Sequence, residues 1–296
     1  MQFLDYFKQT FKQGNALIRL IYINIAVFVV VKLIIISFTL FNNSDVSFLS
    51  YLAVPAALHQ LLSRIWTPIT YMFLHEGIMH ILFNMLNLFW FGKLFLMYFS
   101  EKHLVGLYFL GGIIGALFYI VAFNLFPFYA PLLNQSILLG ASGSIMAIIV
   151  ATAIKSPNME MQMLLIGSVK LKYIALFIVG LSFFGITSDN GGGQLAHIGG
   201  ALAGYLFVVS LRQGIDLTKA INWILDNVVD LFKPRKLKIK PNKHRTNGRM
   251  NDGDFNANKA KNMVQIDKIL DKIKTSGYES LSEEEKKKLF NKGMNN

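Results

Sequence analysis

The chain has 296 residues, of which 53% are hydrophobic and none is cysteine, and it carries a formal net charge of +12. Apolar stretches of membrane-spanning length recur along it and its mean hydropathy is +0.45, which excludes a large soluble domain. The lack of cysteine excludes disulfides, thiol nucleophiles and Cys-based metal sites.

Residues 1–16 read as a cytoplasmic interfacial segment, with Phe3, Leu4, Phe7 and Phe11 on one side and Lys8 and Lys12 for lipid headgroups. A first span follows at Leu17–Phe41. It is too long for a signal-peptide core and lacks a small-residue cleavage site, so it is expected to be retained. Lys32 falls inside it and is expected to snorkel outward, since a lysine left in mid-membrane costs about 2.5–3.5 kcal/mol. Residues 42–75 are too polar to span and too aromatic for plain linker, so part of this connection is expected in the interface.

Further apolar stretches run at Ile78–Tyr98, Leu104–Phe126, Ile137–Ile154, Tyr173–Ser188 and Leu195–Leu211. The expected fold is therefore all-α, a polytopic six-helix transmembrane bundle over residues 17–211 with a small helical cytoplasmic tail. Lys8, Lys12, Arg19, Lys93, Lys102, Lys155, Lys170 and Lys172 all fall on one side of such a bundle, together with the basic tail. The connections on the other side carry only Arg64. Both termini are then cytoplasmic, and the expected location is a bacterial cytoplasmic (inner) membrane.

After residue 211 the chain changes character. Residues 212–232 read as an amphipathic juxtamembrane helix, 233–262 as a basic disordered linker, and 263–296 as a small helical hairpin. The hairpin's second helix is announced by Ser282 with Glu285 three residues on, a capping-box pattern. Most of the positive charge lies in this tail, next to the last span. That placement points to anionic lipids and the bilayer surface as partners, and away from nucleic acid.

The second, fourth and sixth spans enter the membrane from outside in this orientation. His80 and Asn84 lie near the start of the second, Ser142 near the start of the fourth, and His197 near the start of the sixth. All four are thus at comparable depth, a turn or two below the outer surface. His80 and Asn84 are four residues apart and share a helix face. Polar groups inside spans are costly and face a cavity or the bundle interior. Singly, a histidine at a helix end or glycines around a serine are ordinary interfacial and helix-contact residues. Together they supply a nucleophile, a base and oxyanion donors for acyl transfer. Gly140 and Gly143 flank the serine, and Gly200 and Gly204 follow the histidine at small-xxx-small spacing. Two helix faces of this kind can bring their backbones close.

Three motifs carry a family resemblance: His75-Glu76-Gly77-Ile78-Met79-His80-Ile81-Leu82-Phe83-Asn84, Gly140-Ala141-Ser142-Gly143, and Ala196-His197-Ile198-Gly199-Gly200 with Gly204. In this order and on these helices, residues 66–211 resemble the rhomboid family of intramembrane serine proteases. The resemblance implies a Ser-His dyad with no acidic third member. Ser142 would attack the scissile carbonyl and His197 would take and return the proton. His80, Asn84 and the Ser142 N–H would hold the oxyanion. It also implies single-span membrane proteins as substrates. No cofactor is expected, and no metal, because the histidines are too few and too separated for a metal cage and no HExxH string occurs. Two positions depart from the family pattern. Met146 stands where an aromatic residue often stacks near the histidine, and Arg64-Ile65-Trp66 stands where many members carry an adjacent Trp-Arg pair. The loop Asp189-Asn190-Gly191-Gly192-Gly193-Gln194 is expected to be a mobile cover, because three glycines leave the backbone loose.

Two other functions compete. A catalytically silent rhomboid-like scaffold would bind membrane helices without cutting them, although relatives of that kind usually lack the serine or the histidine. A proton-coupled transporter would use His80 and His197 as relays, but no inverted repeat or interrupted helix pair supports it.

Overall fold

The computed structural model describes residues 14–41, 48–163, 167–232 and 252–293. Most of the 1–16 segment, and the basic stretch up to residue 251, lie outside the described residues. The chain divides into two compact units, Met1–Lys233 and Pro234–Asn296.

In the first unit, helix α1 (Ala16–Leu40) begins behind Asn15, whose side chain accepts from the Ile18 amide at 3.2 Å. It buries only Leu17, Leu20, Asn24 and Val31. Its outer face, with Val29, Val30, Leu33 and Ile36, is exposed and apolar, a surface suited to hydrocarbon rather than water. A connection follows with the short helices α2 (Phe48–Leu52), α3 (Leu58–Leu62) and α4 (Thr67–Thr70), the two-residue strand β1 (Val54–Pro55) and a 3-10 turn at Tyr71–Phe73. Arg64 and Trp66 fasten this loop even though they are not adjacent. The Arg64 guanidinium donates to the Ser50 carbonyl at 2.8 Å and lies 4.5 Å from the centre of the Tyr51 ring, and the Trp66 indole donates to the Tyr51 carbonyl at 2.8 Å.

The remaining helices of this unit are α5 (Ile78–Leu96), α6 (Glu101–Leu125), α7 (Ser142–Lys155), α8 (Leu171–Phe184), α9 (Gly191–Arg212) and α10 (Lys219–Phe232). Among the described residues four helices of this unit, α1, α5, α6 and α9, are long and apolar enough to cross a membrane. α7 and α8 are apolar but have 14 residues each. α9 packs most extensively, against α7 and α6, and α7 is the innermost helix, buried at every position from Gly143 to Ala153.

The structure departs from the all-α expectation in two small antiparallel sheets. β1 pairs with β2 (Ile137–Leu138), Val54 opposite Leu138, and β3 (Glu160–Met163) pairs with β4 (Gly167–Lys170). The first corrects the fourth apolar stretch. Ile137 and Leu138 are not helical but hydrogen-bonded to the first long loop, and the helix starts only at Ser142. Gly140, at φ +126°, turns the chain between them. The glycine loop is a second correction. α9 already begins at Gly191, so three of the glycines sit in its first turn. A Cβ at Gly193 would come 2.6 Å from the Asn190 side chain and one at Gly192 would come 2.9 Å from the Tyr119 ring, so these glycines serve close packing rather than looseness. Lys32 stays against the protein, its ammonium donating to the Glu76 carbonyl at 2.6 Å, just before α5.

In the second unit, α11 (Asp252–Ser276) and α12 (Glu283–Gly293) are joined through Gly277, at φ +80°, and a 3-10 turn at Tyr278–Ser280. α11 thus starts inside the stretch read from sequence as linker. Its anionic first residue suits a helix N-terminus. The Ser282 amide donates to the Glu285 carboxylate at 2.8 Å and the Glu285 amide to the Ser282 hydroxyl at 3.4 Å, a reciprocal cap on α12. Lys272 on α11 donates to the same carboxylate at 3.0 Å, and Ile269 and Leu281 are buried between the helices.

Candidate active site

Ser142 is the first residue of α7. The first amides of a helix have no intrahelical acceptor, so the N–H groups around Ser142 are free to bind an anion and lie at the positive end of the helix dipole. The chain enters this turn through Gly140. Its amide donates to the Tyr71 carbonyl at 3.0 Å, which anchors the loop before Ser142 to the first long connection. A Cβ on Gly140 would stand 3.0 Å from His80 Nε2 and 3.7 Å from Ser142 Oγ, so both atoms border the space a methyl group would fill there.

Behind the serine, small residues let three helices close up. A Cβ at Gly200 would overlap the Gly143 carbonyl, and one at Gly204 would overlap the Ala147 carbonyl. α6 meets the same region. A Cβ at Gly111 would come 2.5 Å from Ala147, and one at Gly115 would come 2.8 Å from the Ala196 carbonyl. Glycines on α6 and α9 therefore allow the approach that brings His197 over α7.

The result is a cavity of about 370 Å³ in which Ser142 meets His80 and Asn84 of α5 and His197 of α9. Met146, Ile149, Ile178 and Phe83 give it apolar walls, and Asn87 and Asn190 add polar rim groups. Asn84 is 7% exposed, and its amide nitrogen has no hydrogen-bond partner among the described residues. An orphaned donor facing a cavity is a group kept for something that enters it. His75 is buried outside the cavity, its ring edge-on to His80 with centroids 5.2 Å apart, and so it buttresses His80.

Among the described residues no hydrogen bond joins the Ser142 hydroxyl to the His197 ring. The His197 ring is held instead from its other side, where Nδ1 lies 3.1 Å from the Ser182 hydroxyl of α8. Sequence reading passed over Ser182. The available signal was a hydroxyl in the apolar run Tyr173–Ser188 that falls in register with Leu171, Ile174, Ala175 and Ile178 on the inward face of α8.

Four membrane-length helices among the described residues, with a pocket holding one serine, two histidines and three asparagines, put the chain in the class of polytopic helical membrane proteins. The comparisons with known proteins give it a family. The model of the Rhomboid domain matches residues 62–214, more than half of the chain, and the chain belongs to the rhomboid family. A curated relative, RHOMBOID-like protein 12, mitochondrial, of Arabidopsis thaliana, is 28% identical over 160 residues, 51% of this chain and 48% of that protein. The chain thus spans about half the length of the relative it matches. A second model, a family of unknown function (DUF6576), matches residues 251–291, the helical hairpin.

Proposed function

We propose that this protein is an intramembrane serine protease that hydrolyses peptide bonds in or near the transmembrane segments of single-span membrane proteins. The observation that carries the proposal is the shared cavity of Ser142, His197, His80 and Asn84, brought together from three helices, with the Asn84 donor unpartnered among the described residues.

In this reading α7 and α8 complete a six-helix membrane bundle with the four long helices. The shortness of α7 sets the depth of the chemistry. A 14-residue helix is about 21 Å long against a hydrocarbon core of about 30 Å. With Lys155 at the cytoplasmic interface, Ser142 stays several ångströms below the outer surface, within reach of water from that side. Both termini are then cytoplasmic.

Ser142 Oγ attacks the scissile carbonyl while His197 Nε2 takes its proton. The developing oxyanion is met by the Asn84 amide, the His80 ring and the N–H of Ser142 at the start of α7. His197 returns the proton to the leaving amine. Water entering from outside then attacks the acyl-enzyme with His197 again as base. No metal and no cofactor takes part. Substrate segments that unwind easily fit a site that receives an extended backbone.

The test is cleavage of a single-span substrate by the purified protein in detergent. Ser142→Ala and His197→Ala should each lose at least about 10³-fold in kcat, and Asn84→Ala about 10²-fold. Undiminished cleavage by Ser142→Ala would end the proposal. The scaffold reading draws on the missing Ser142–His197 hydrogen bond. A fluorophosphonate probe separates the two, since it labels Ser142 in the protease and leaves a scaffold untouched.

A further inference from the structure

We infer that Ser182 is a positioning residue for His197, a neutral third member that fixes which ring nitrogen carries the proton. The inference rests on the protease reading and adds to it a group that the dyad alone does not contain.

Four observations converge on this hydroxyl. Ser182 is 2% exposed on a helix whose other inward residues are apolar. A polar group so placed needs a partner, and the one it has among the described residues is His197 Nδ1, at 3.1 Å. The His197 ring in turn has no other hydrogen bond among the described residues. Finally, the residue one turn after the nucleophile is Met146, a flexible thioether that packs against Val150 and Ala201, so no aromatic ring at that position braces the imidazole.

The chemistry sets the direction of the bond. His197 Nε2 must be bare to accept the Ser142 proton, so Nδ1 must carry the ring hydrogen and donate it to Ser182 Oγ. When Nε2 is protonated during acylation, the Nδ1–H bond to Ser182 remains and nothing has to rearrange. A carboxylate in this position would do the same work but would leave a charge buried between apolar helices in its resting state. A hydroxyl orients the ring and selects its tautomer without that penalty.

The test compares Ser182→Ala with two variants of nearly equal volume, Ser182→Thr, which keeps the hydroxyl, and Ser182→Val, which removes it. Ser182→Ala and Ser182→Val should lower kcat about 10- to 100-fold with KM unchanged, and Ser182→Thr should recover most of the loss. If the hydroxyl only filled space, Ser182→Thr and Ser182→Val would behave alike. Equal kcat for Ser182→Ala and the wild type would overturn the inference.

A second readout needs no proteolysis. Long-range ¹H–¹⁵N spectra of ¹⁵N-histidine-labelled full-length protein, with His197 assigned by His197→Gln, report the tautomer. The Nδ1–H form should dominate in the wild type and Ser182→Thr, and give way to a mixture in Ser182→Ala. An Nε2–H tautomer in the wild type would overturn the inference even if the protein cuts. Absence of all cleavage would overturn the protease reading while the tautomer still decided the role of Ser182.

Discussion

Gly140 combines two constraints beside the serine, a positive φ and close side-chain neighbours. Its φ of +126° is open to glycine and strained for other residues, and the space its Cβ would take is bordered by His80 Nε2 and Ser142 Oγ. Gly140→Ala should therefore cost about 1–3 kcal/mol of stability from the backbone alone. It should also push the His80 ring out of place, so on the proposed protease reading activity should fall by more than thermal stability accounts for. Thermal unfolding in detergent, read beside kcat, separates the two effects. Gly200→Ala makes the contrasting case. Its methyl would meet the Gly143 carbonyl, which is backbone and cannot swing aside, so that variant should lose stability and activity together. Residues of this kind were legible in the sequence because their spacing is linear: His80 with Asn84, Gly140 to Gly143, His197 to Gly204. Ser182 was not, since its helical register marks an inward-facing hydroxyl but not its partner, which lies fifteen residues away on another helix. The glycines at 191–193 misled for a related reason. Composition shows that a residue lacks a side chain but does not show whether open space or a neighbouring ring lies where the side chain would be.

Among the elements, α10 shows how a surface helix is held to a membrane-length one. Its lead-in places Asp216 where the Thr218 amide and hydroxyl donate to it at 2.8 and 2.6 Å, and His103 of α6 sits 3.4 Å away. A Cβ at Gly106 of α6 would come 2.5 Å from Thr218, and Asn222 donates to the Lys102 carbonyl at 3.1 Å. The polar side of α10 thus grips the first turns of α6, while Trp223, Ile224, Val228 and Val229 are exposed, as suits the boundary of a bilayer. Burial pushes the Asp216 carboxyl up, but the Thr218 donors and His103 outweigh it and hold the group below its ordinary value. A carboxyl depressed in the folded state stabilises at neutral pH, and that contribution is lost as pH falls through the depressed value. Asp216→Asn should therefore loosen α10 at pH 7 by about 1 kcal/mol per hydrogen bond weakened. It should also remove the corresponding loss of stability on strong acidification. Trp223 fluorescence followed against pH in both proteins measures this. Element boundaries were less legible than element existence. The six apolar runs each contain a helix, but the β1–β2 pairing that replaces the start of the fourth run depends on a partner strand some eighty residues earlier.

At the scale of the whole molecule, the residues lining the cavity all come from the unit Met1–Lys233, and the hairpin of α11 and α12 closes its own small core on Ile269 and Leu281. The basic run Lys233-Pro234-Arg235-Lys236-Leu237-Lys238-Ile239-Lys240 lies between them in sequence, and near an anionic surface each such cation is worth about 1 kcal/mol. On the proposed protease reading, catalysis belongs to the first unit, and the basic segment is proposed to bind anionic lipid. Removing residues 234–296 should then leave kcat unchanged within about twofold in zwitterionic bilayers, because no cavity-lining side chain is lost. In bilayers containing about a third phosphatidylglycerol, the full chain should show a salt-sensitive change in cleavage that the shortened chain lacks, since screening at high ionic strength weakens only the lipid contact. Cleavage in proteoliposomes of the two compositions, at low and high salt, measures both effects. Equal salt response in the two proteins would make the tail a solvated appendage. A large fall in kcat for the shortened chain in zwitterionic lipid would mean that the second unit supports the site itself.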